Sequence, residues 1–533
     1  MKRVFVLLCS VIAAQVFSQA SLNVTFRANL PYNNNRVCAN ICGYVDSTGK
    51  EYALVGVEDG MSVVDVTNPS APVQVYQVLW PTNNNNSLWK EIKVYKKHAY
   101  VVSEAGNGLQ ICDLSKLPSA TPPTPVYWSP TISGQQLNTI HALHIDTSKG
   151  NVYLFGSNVA NKGAIIASLA NPVAPVYLGM FDNTYVHDGY VDNDTLYACE
   201  IYDGNMEIID CSNKTNPQVL ATVQTYLRFA HNSWLSPDKK TVFTTDEKTR
   251  SRLTSYDISN LANITLLDTV RSLSNTSVVH NTHIRGDNFA VTSWYRDGFN
   301  IVDVSRPNNM IVTGYYDSYP AASGNGFDGA WGVYPFLPSG TIVVSNIDEG
   351  LYVFSPNYVR ACYLEGNVKD SVTLFNLQNV LVQVLTVTNS STNTDVSGNY
   401  ATGGAVAGSY SIQFSKSGYQ SKTINGVSLQ NGVVTVLNTK LAPLGMGVAT
   451  FQNDQTFFTG PTVFEGSAHL KYYLSNADAE NAKIKVYDYS GNIVFEKAAD
   501  SVEGEVTLGE GWASGMYIVT LNSCKPLKIV KIN

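Results

Sequence analysis

A strand-and-turn repeat runs through the first two thirds of this 533-residue chain and constrains its fold more than any other feature. Each copy is an apolar strand that ends in Asp and passes into a polar turn. Copies run from Met61 to Asp65, Leu109 to Asp113, Met206 to Asp210, Leu253 to Asp257 and Phe299 to Asp303. Ala164 to Ser168 is a degenerate copy, and Leu351 to Phe354 is a last one. The Asp carboxylate suits the backbone N–H groups of the turn that follows, which often contains Asn-Pro, as at Asn68-Pro69, Asn171-Pro172 and Asn216-Pro217.

A second series precedes the first in each unit. It reads Trp89 to Val94, Ile140 to Ile145, Val186 to Val191, Ala230 to Leu235, Val279 to Ile284 and Gly329 to Tyr334, with Asn40 to Val45 opening the first unit. Successive copies lie 44 to 51 residues apart. Apolar residues alternate at period two, which disfavours a helical repeat. Four short strands at this period predict the blades of a β-propeller, and seven units can be counted. The last unit ends near Ser355 with three strands. The alternating segment Leu22 to Arg27 is expected to supply its fourth strand, closing the ring and removing exposed edges.

The length predicts more than one domain. Only 14% of residues are charged and the net charge is -7, which argues against nucleic acid or an anionic membrane surface as partner. Lys2 and Arg3, the apolar run Val4 to Ile12, and small residues at Ser18 and Ala20 read as a secretory signal cleaved after Ala20. Later stretches lack the roughly 18 uncharged apolar residues of a membrane helix. Seven cysteines remain after that cleavage, so at least one is unpaired. Cys199 and Cys211 flank a predicted turn at Asp203-Gly204 and are either a disulfide pair or two buried thiols. The absence of Cys-x-x-Cys spacing argues against a thiolate zinc site.

The strands ending in Val-Val-Asp or Ile-Val-Asp resemble the LVIVD repeat. Leu88 to Tyr95, His98 to Glu104, Gly329 to Pro335 and Gly350 to Phe354, with His187-Asp188 and His231-Asn232, are similar to the choice-of-anchor B family of secreted bacterial propellers. That resemblance implies export with a variable C-terminal anchor, and no reaction. Gly366 to Asp370, Asp395 to Tyr400, Gly408 to Tyr410 and Ser417 to Tyr419 resemble carboxypeptidase regulatory-like domains, small prealbumin-type sandwiches without peptidase machinery. Leu470 to Leu474, Ile484 to Asp488, Gly515 to Val519 and Lys528 to Asn533 resemble the type A C-terminal sorting domain of the type IX secretion system. This implies a Bacteroidota-type source, the type IX machinery as partner, and an outer-membrane surface-attached or extracellular protein. The expected organisation is all-β: signal peptide 1–20, seven-bladed propeller 21–357, prealbumin-like sandwich 358–443 and sorting sandwich 444–533.

The first strand of a propeller blade lines the central channel. His141, His187, His231 and His280 hold one equivalent position in four consecutive units, and Glu91 and Asp188 hold the next position in theirs. The turns expected on the same face add the carboxylates of Glu58, Asp59, Glu104, Asp203, Asp246, Glu247, Asp297, Asp348 and Glu349. His141, His187, His231, His280, Glu91 and Asp188 are therefore candidate ligands of a divalent cation: imidazole suits zinc or another transition metal, and clustered carboxylates suit calcium. The alternative is structural, with histidines bonding neighbouring blades. Motifs for nucleophilic or zinc-protease catalysis are missing. His187 and Asp188, adjacent in a strand, are expected to face opposite sides. Two functions stand: a non-catalytic module binding an extracellular ligand, glycan or protein through its propeller face, or a metal-dependent hydrolase using the histidine rim.

Overall fold

The computed structural model describes residues 20–32, 36–81, 88–387, 390–444, 457–474, 482–499, 501–521 and 526–532. The expected signal segment up to residue 19 lies outside them, as do Cys9 and Cys524. The described residues form strands and turns, and none of them belongs to a helix long and apolar enough to cross a membrane.

Seven antiparallel sheets, six of four strands and one of five, make a closed propeller. The innermost strands are Cys38–Val45, Lys90–Tyr95, Ala142–Asp146, Asp188–Asp192, Ala230–Leu235, Thr282–Ile284 and Ala330–Tyr334. Each packs against the next, and the last returns to the first. The apolar residues of the second and third strands fill the space between sheets. Leu54, Val63, Ile92 and Val101 share one such layer, and Leu143, Leu154, Ile111 and Tyr100 share the next.

The repeated Asp does the local work expected of it. The N–H of Thr67 donates to Asp65 at 3.0 Å, Ser115 to Asp113 at 2.8 Å, Ser212 to Asp210 at 2.8 Å, Ser259 to Asp257 at 2.9 Å and Ser305 to Asp303 at 3.1 Å. In the degenerate copy Ser168 substitutes with its hydroxyl, which accepts from Ala170 at 3.2 Å. Each bond satisfies a turn donor that the strand ladder leaves over.

Ring closure follows the expected strand exchange, with one correction. Val24–Leu30 pairs with Gly350–Pro356 and completes the seventh blade, with Val24 opposite Pro356 and Leu30 opposite Leu351. Leu22 does not belong there. Ser21–Leu22 pairs with Ile311–Tyr316 as a fifth strand of the sixth blade. Asn23, at φ 53°, turns the chain between the two sheets, and its amide donates to the Thr313 carbonyl at 2.7 Å.

Cys199 and Cys211 are free, buried thiols rather than a disulfide. Cys199 stands opposite Met206 and packs on the side of its sheet that holds Leu235 and Tyr256. Cys211 packs on the other side, with Tyr153 and Leu196. The sheet itself separates them.

Beyond the propeller, Cys362–Asp370, Asn399–Gly404, Val434–Val436 and Thr439–Leu441 face a second sheet of Leu381–Val384, Ser391–Asn393, Gly408–Ser415 and Lys422–Leu429. Leu364, Val382, Ile412 and Phe414 lie in the core between them. This sandwich forms one compact unit with the propeller, through residue 442. Arg306 forks onto Glu365 at 2.7 and 2.9 Å, and Asn309 donates to the Thr402 carbonyl at 3.2 Å.

Residues 443–533 form a separate unit. Its two sheets contain Ala468–Tyr473 between Phe457–Thr459 and Glu503–Leu508, and Lys483–Tyr487 beside Gly515–Leu521. Leu470, Ile484, Val486, Val519 and Ile529 make its core.

Candidate functional site

The histidine positions meet at one end of the central channel. Each histidine enters on a backbone bond to the second strand of its own blade: His141 N donates to Phe155 O at 3.0 Å, His187 to Cys199 at 2.8 Å and His280 to Ser293 at 2.9 Å. In the fifth blade a β-bulge between Ala230 and Asn232 contains His231. The imidazoles then follow one another around the channel, each tilted against the next. Ring centroids lie 4.2 Å apart for His141 and His187, 4.7 Å for His187 and His231, and 4.4 Å for His231 and His280. All six candidates, the four histidines with Glu91 and Asp188, line one cavity of about 20 Å³ together with Trp89 and Trp331.

His187 and Asp188 thus reach the same cavity, against the expectation from strand alternation. His187 precedes the strand Asp188–Asp192, so the pleat does not yet govern it. The bulge at His231 has the same effect, since a bulge presents two successive residues to one side. Asp188 makes no pair with His187. It accepts from the Asn232 amide at 2.7 Å, and Asn232 in turn accepts from Thr282 N at 3.1 Å. Glu91 is bonded by Asn40 and by the ammonium of Lys93. Burial is the main cause that raises both carboxyl pKa values, with Lys93 working against it. These groups form a polar layer beneath the imidazoles.

Two carboxylates outside the six candidates meet the imidazoles directly. Glu104 Oε1 lies 2.7 Å from His141 Nδ1. Glu247 lies 3.8 Å from His231 Nε2 and 3.9 Å from His280 Nε2, and it accepts from the Tyr295 hydroxyl. Both stand in the turns expected on this face, but sequence period alone does not tell which turn carboxylates fold inward. Ligand atoms of His187, His231 and Glu247 all fall within 4.8 Å of one another.

Partners fix the tautomers. A carboxylate and a carbonyl only accept, so His141 Nδ1 carries its proton toward Glu104, and His280 Nδ1 donates to Trp331 O at 2.7 Å. The Nε2 lone pair of His280 is left facing the cluster. His187 Nε2 lies 3.2 Å from His141 Nε2, and its Nδ1 lies 3.2 Å from the Tyr185 hydroxyl. Burial pulls the pKa of His231 and of His280 down to about 3, and that of His187 well below the ordinary range. The buried rings are neutral, the form that ligates metal. His231 Nδ1 is buried without a hydrogen-bond partner.

The fold and these positions can be set beside known proteins. The LVIVD repeat matches residues 49–79, 90–121, 197–225 and 287–318, within the first, second, fourth and sixth blades. The carboxypeptidase regulatory-like domain matches residues 363–442. No curated protein matches the chain. Among solved structures, the β-propeller domain of Myceliophteria thermophila Cps50 (Swd1) is similar at 9% identity and a TM-score of 0.42, covering 60% of this chain and 96% of that one. The chain is a β-propeller repeat protein that carries LVIVD repeats and a carboxypeptidase regulatory-like domain.

Proposed function

We propose that this chain is an exported, non-catalytic binding protein that holds a divalent transition-metal ion among its channel histidines. The observation that carries the metal is His280 Nε2 facing the Glu247 carboxylate at 3.9 Å, with His231 Nε2 at 3.8 Å from the same group. The His280 proton is committed to Trp331, so a lone pair confronts an anion. A cation between them resolves this. Zinc bonds imidazole nitrogen and carboxylate oxygen at about 2.0–2.2 Å, which sets ligand atoms of a tetrahedron about 3.3 Å apart. His141 Nε2 and His187 Nε2 already stand at 3.2 Å. Imidazole-rich ligation favours zinc or a neighbouring transition metal over calcium.

The free space among these groups is about 20 Å³, enough for an ion or a water and far below that of a substrate pocket. That size favours binding over metal-dependent hydrolysis. Export is supported by the charged and apolar start of the chain and by the resemblance to choice-of-anchor B proteins. The sorting-domain resemblance of the C-terminal unit supports passage through the type IX machinery to the outer surface of a Bacteroidota-type cell.

The test is elemental analysis of the full chain purified without chelator, followed by zinc titration. Stoichiometric metal that is lost in the double variant His231→Ala, Glu247→Gln supports the reading. A protein that carries no metal and takes up no zinc overturns it.

A further inference from the structure

The innermost strands carry a second pattern. Three residues past each channel histidine stands another ring: His144, Tyr190, Trp234 and His283. Three residues of strand span about 10 Å, so these rings sit below the polar layer, toward the other end of the channel. There they enclose a cavity of about 530 Å³, completed by Tyr334 and Phe336 of the seventh blade. The rings contact one another around the wall. Centroids lie 4.8 Å apart for His144 and Tyr190, 4.7 Å for Tyr190 and Trp234, 4.7 Å for Trp234 and His283, and 5.4 Å for Tyr334 and Phe336. The volume lies inside the roughly 300–1,000 Å³ of small-molecule sites. Neither the LVIVD repeat nor the histidine cluster accounts for it.

The charge around this cup selects the ligand. Lys93 lines it and presents an ammonium, which disfavours a bound cation despite the aromatic wall. Glu91 is ion-paired with Lys93, and the Asp188 carboxylate interacts with the same ammonium, so little net positive charge remains for an anion. Burial and the nearby Lys93 keep both His144 and His283 neutral. Lys96, Asp146 and Asp192 line the cup as well, so its lining holds two cationic and two anionic side chains and little net charge. It offers ring faces for C–H surfaces and polar contributions from these groups and from His283, whose Nδ1 is buried without a partner. A pyranose presents that combination, apolar C–H faces and a hydroxylated edge, and a planar aromatic compound lacks the edge.

We infer that the aromatic cup opposite the histidine cluster binds a neutral sugar, with a pyranose face laid against Trp234. Trp234 is the keystone of the wall, touching Tyr190, His283 and Phe336. The sugar and the metal occupy different layers of the channel, so one does not require the other.

The experiment is a glycan array of neutral bacterial and plant glycans probed with the full chain. Hits are followed by saturation-transfer NMR and calorimetry with the free sugar, and with indole and tetramethylammonium as controls. The expected result is saturable binding of at least one neutral sugar, weakened about tenfold or more by Trp234→Ala and by Phe336→Ala. Phe336 is only half-buried, so that variant keeps the test open should Trp234→Ala fail to fold. Three results overturn the inference: no neutral glycan binds, indole or tetramethylammonium binds more tightly than every sugar, or sugar binding survives both substitutions in the wall.

Discussion

Asp303 Oδ2 accepts the backbone N–H of Ala361 at 2.8 Å. Asp303 is the repeated Asp of the sixth blade, and Ala361 precedes the first strand of the following sandwich. The same carboxylate still holds its own turn through Ser305 and also takes the Arg360 guanidinium at 2.8 Å. Its counterparts Asp65, Asp113, Asp210 and Asp257 are half-buried, whereas Asp303 is 0% exposed. A residue that elsewhere shapes a turn here joins two folds.

Asp303→Ala is accordingly expected to destabilise the chain by about 3 kcal/mol, since it strands a partly buried Arg and an N–H together. Asp257→Ala, which loses only turn bonds to Ser259, is expected to cost about 1 kcal/mol. Calorimetric unfolding of the two variants checks the ranking, and limited proteolysis between residues 356 and 362 reports whether the sandwich has come loose.

Metal affinity should divide by role. His231→Ala removes a proposed ligand and is expected to abolish stoichiometric zinc. Glu104→Gln leaves every proposed ligand in place and only weakens the orientation of His141, so a loss of about 10- to 100-fold is expected. Zinc calorimetry of both variants measures the difference, and equal losses would count against the assigned roles.

Acid should destabilise the channel through His144. Burial first, and Lys93 second, hold its pKa at about 3, with Asp146 opposing them. The unfolded chain takes up this proton near pH 6.5 and the folded chain does not. The stabilisation is therefore complete above about pH 6.5 and falls away as pH drops toward 3, by about 2 kcal/mol at pH 5. His144→Phe is expected to show a shallower fall of Tm between pH 7.5 and 5 than the parent, whatever its absolute Tm. Parallel curves would show that His144 contributes nothing to the slope.

Removing residues 443–533 should leave the unfolding temperature of the remaining chain nearly unchanged, because the two units have separate cores. In the host, the proposed sorting role predicts that the shortened protein stays in the periplasm. Fractionation followed by surface proteolysis distinguishes the outcomes, and normal surface display would remove the sorting assignment.

The ring of seven units was legible because period and strand pattern repeat, and the Asp turns because their chemistry is local. The convergence of His141, His187, His231 and His280 followed from equal spacing plus blade geometry. What spacing does not carry is local departure from the pleat. The bulge at His231 and the placement of His187 ahead of its strand turn adjacent residues to one cavity, and alternation predicts the reverse. Glu247 was one turn carboxylate among many until its approach to His231 and His280 singled it out. The rings at His144, Tyr190 and Trp234 followed the histidines at constant spacing but differed in residue type, which hid their shared position.

The pairing of Val24–Leu30 with Gly350–Pro356 also sets an order of events. The first strand of the ring finds its partner only after the last one has been made. Its edge therefore waits unpaired while six blades are synthesised, and the chain cannot lock into its final topology early. Contacts this distant in sequence slow folding. Under the proposed export such a delay would be useful, because the topological lock forms only when the whole ring has reached one compartment.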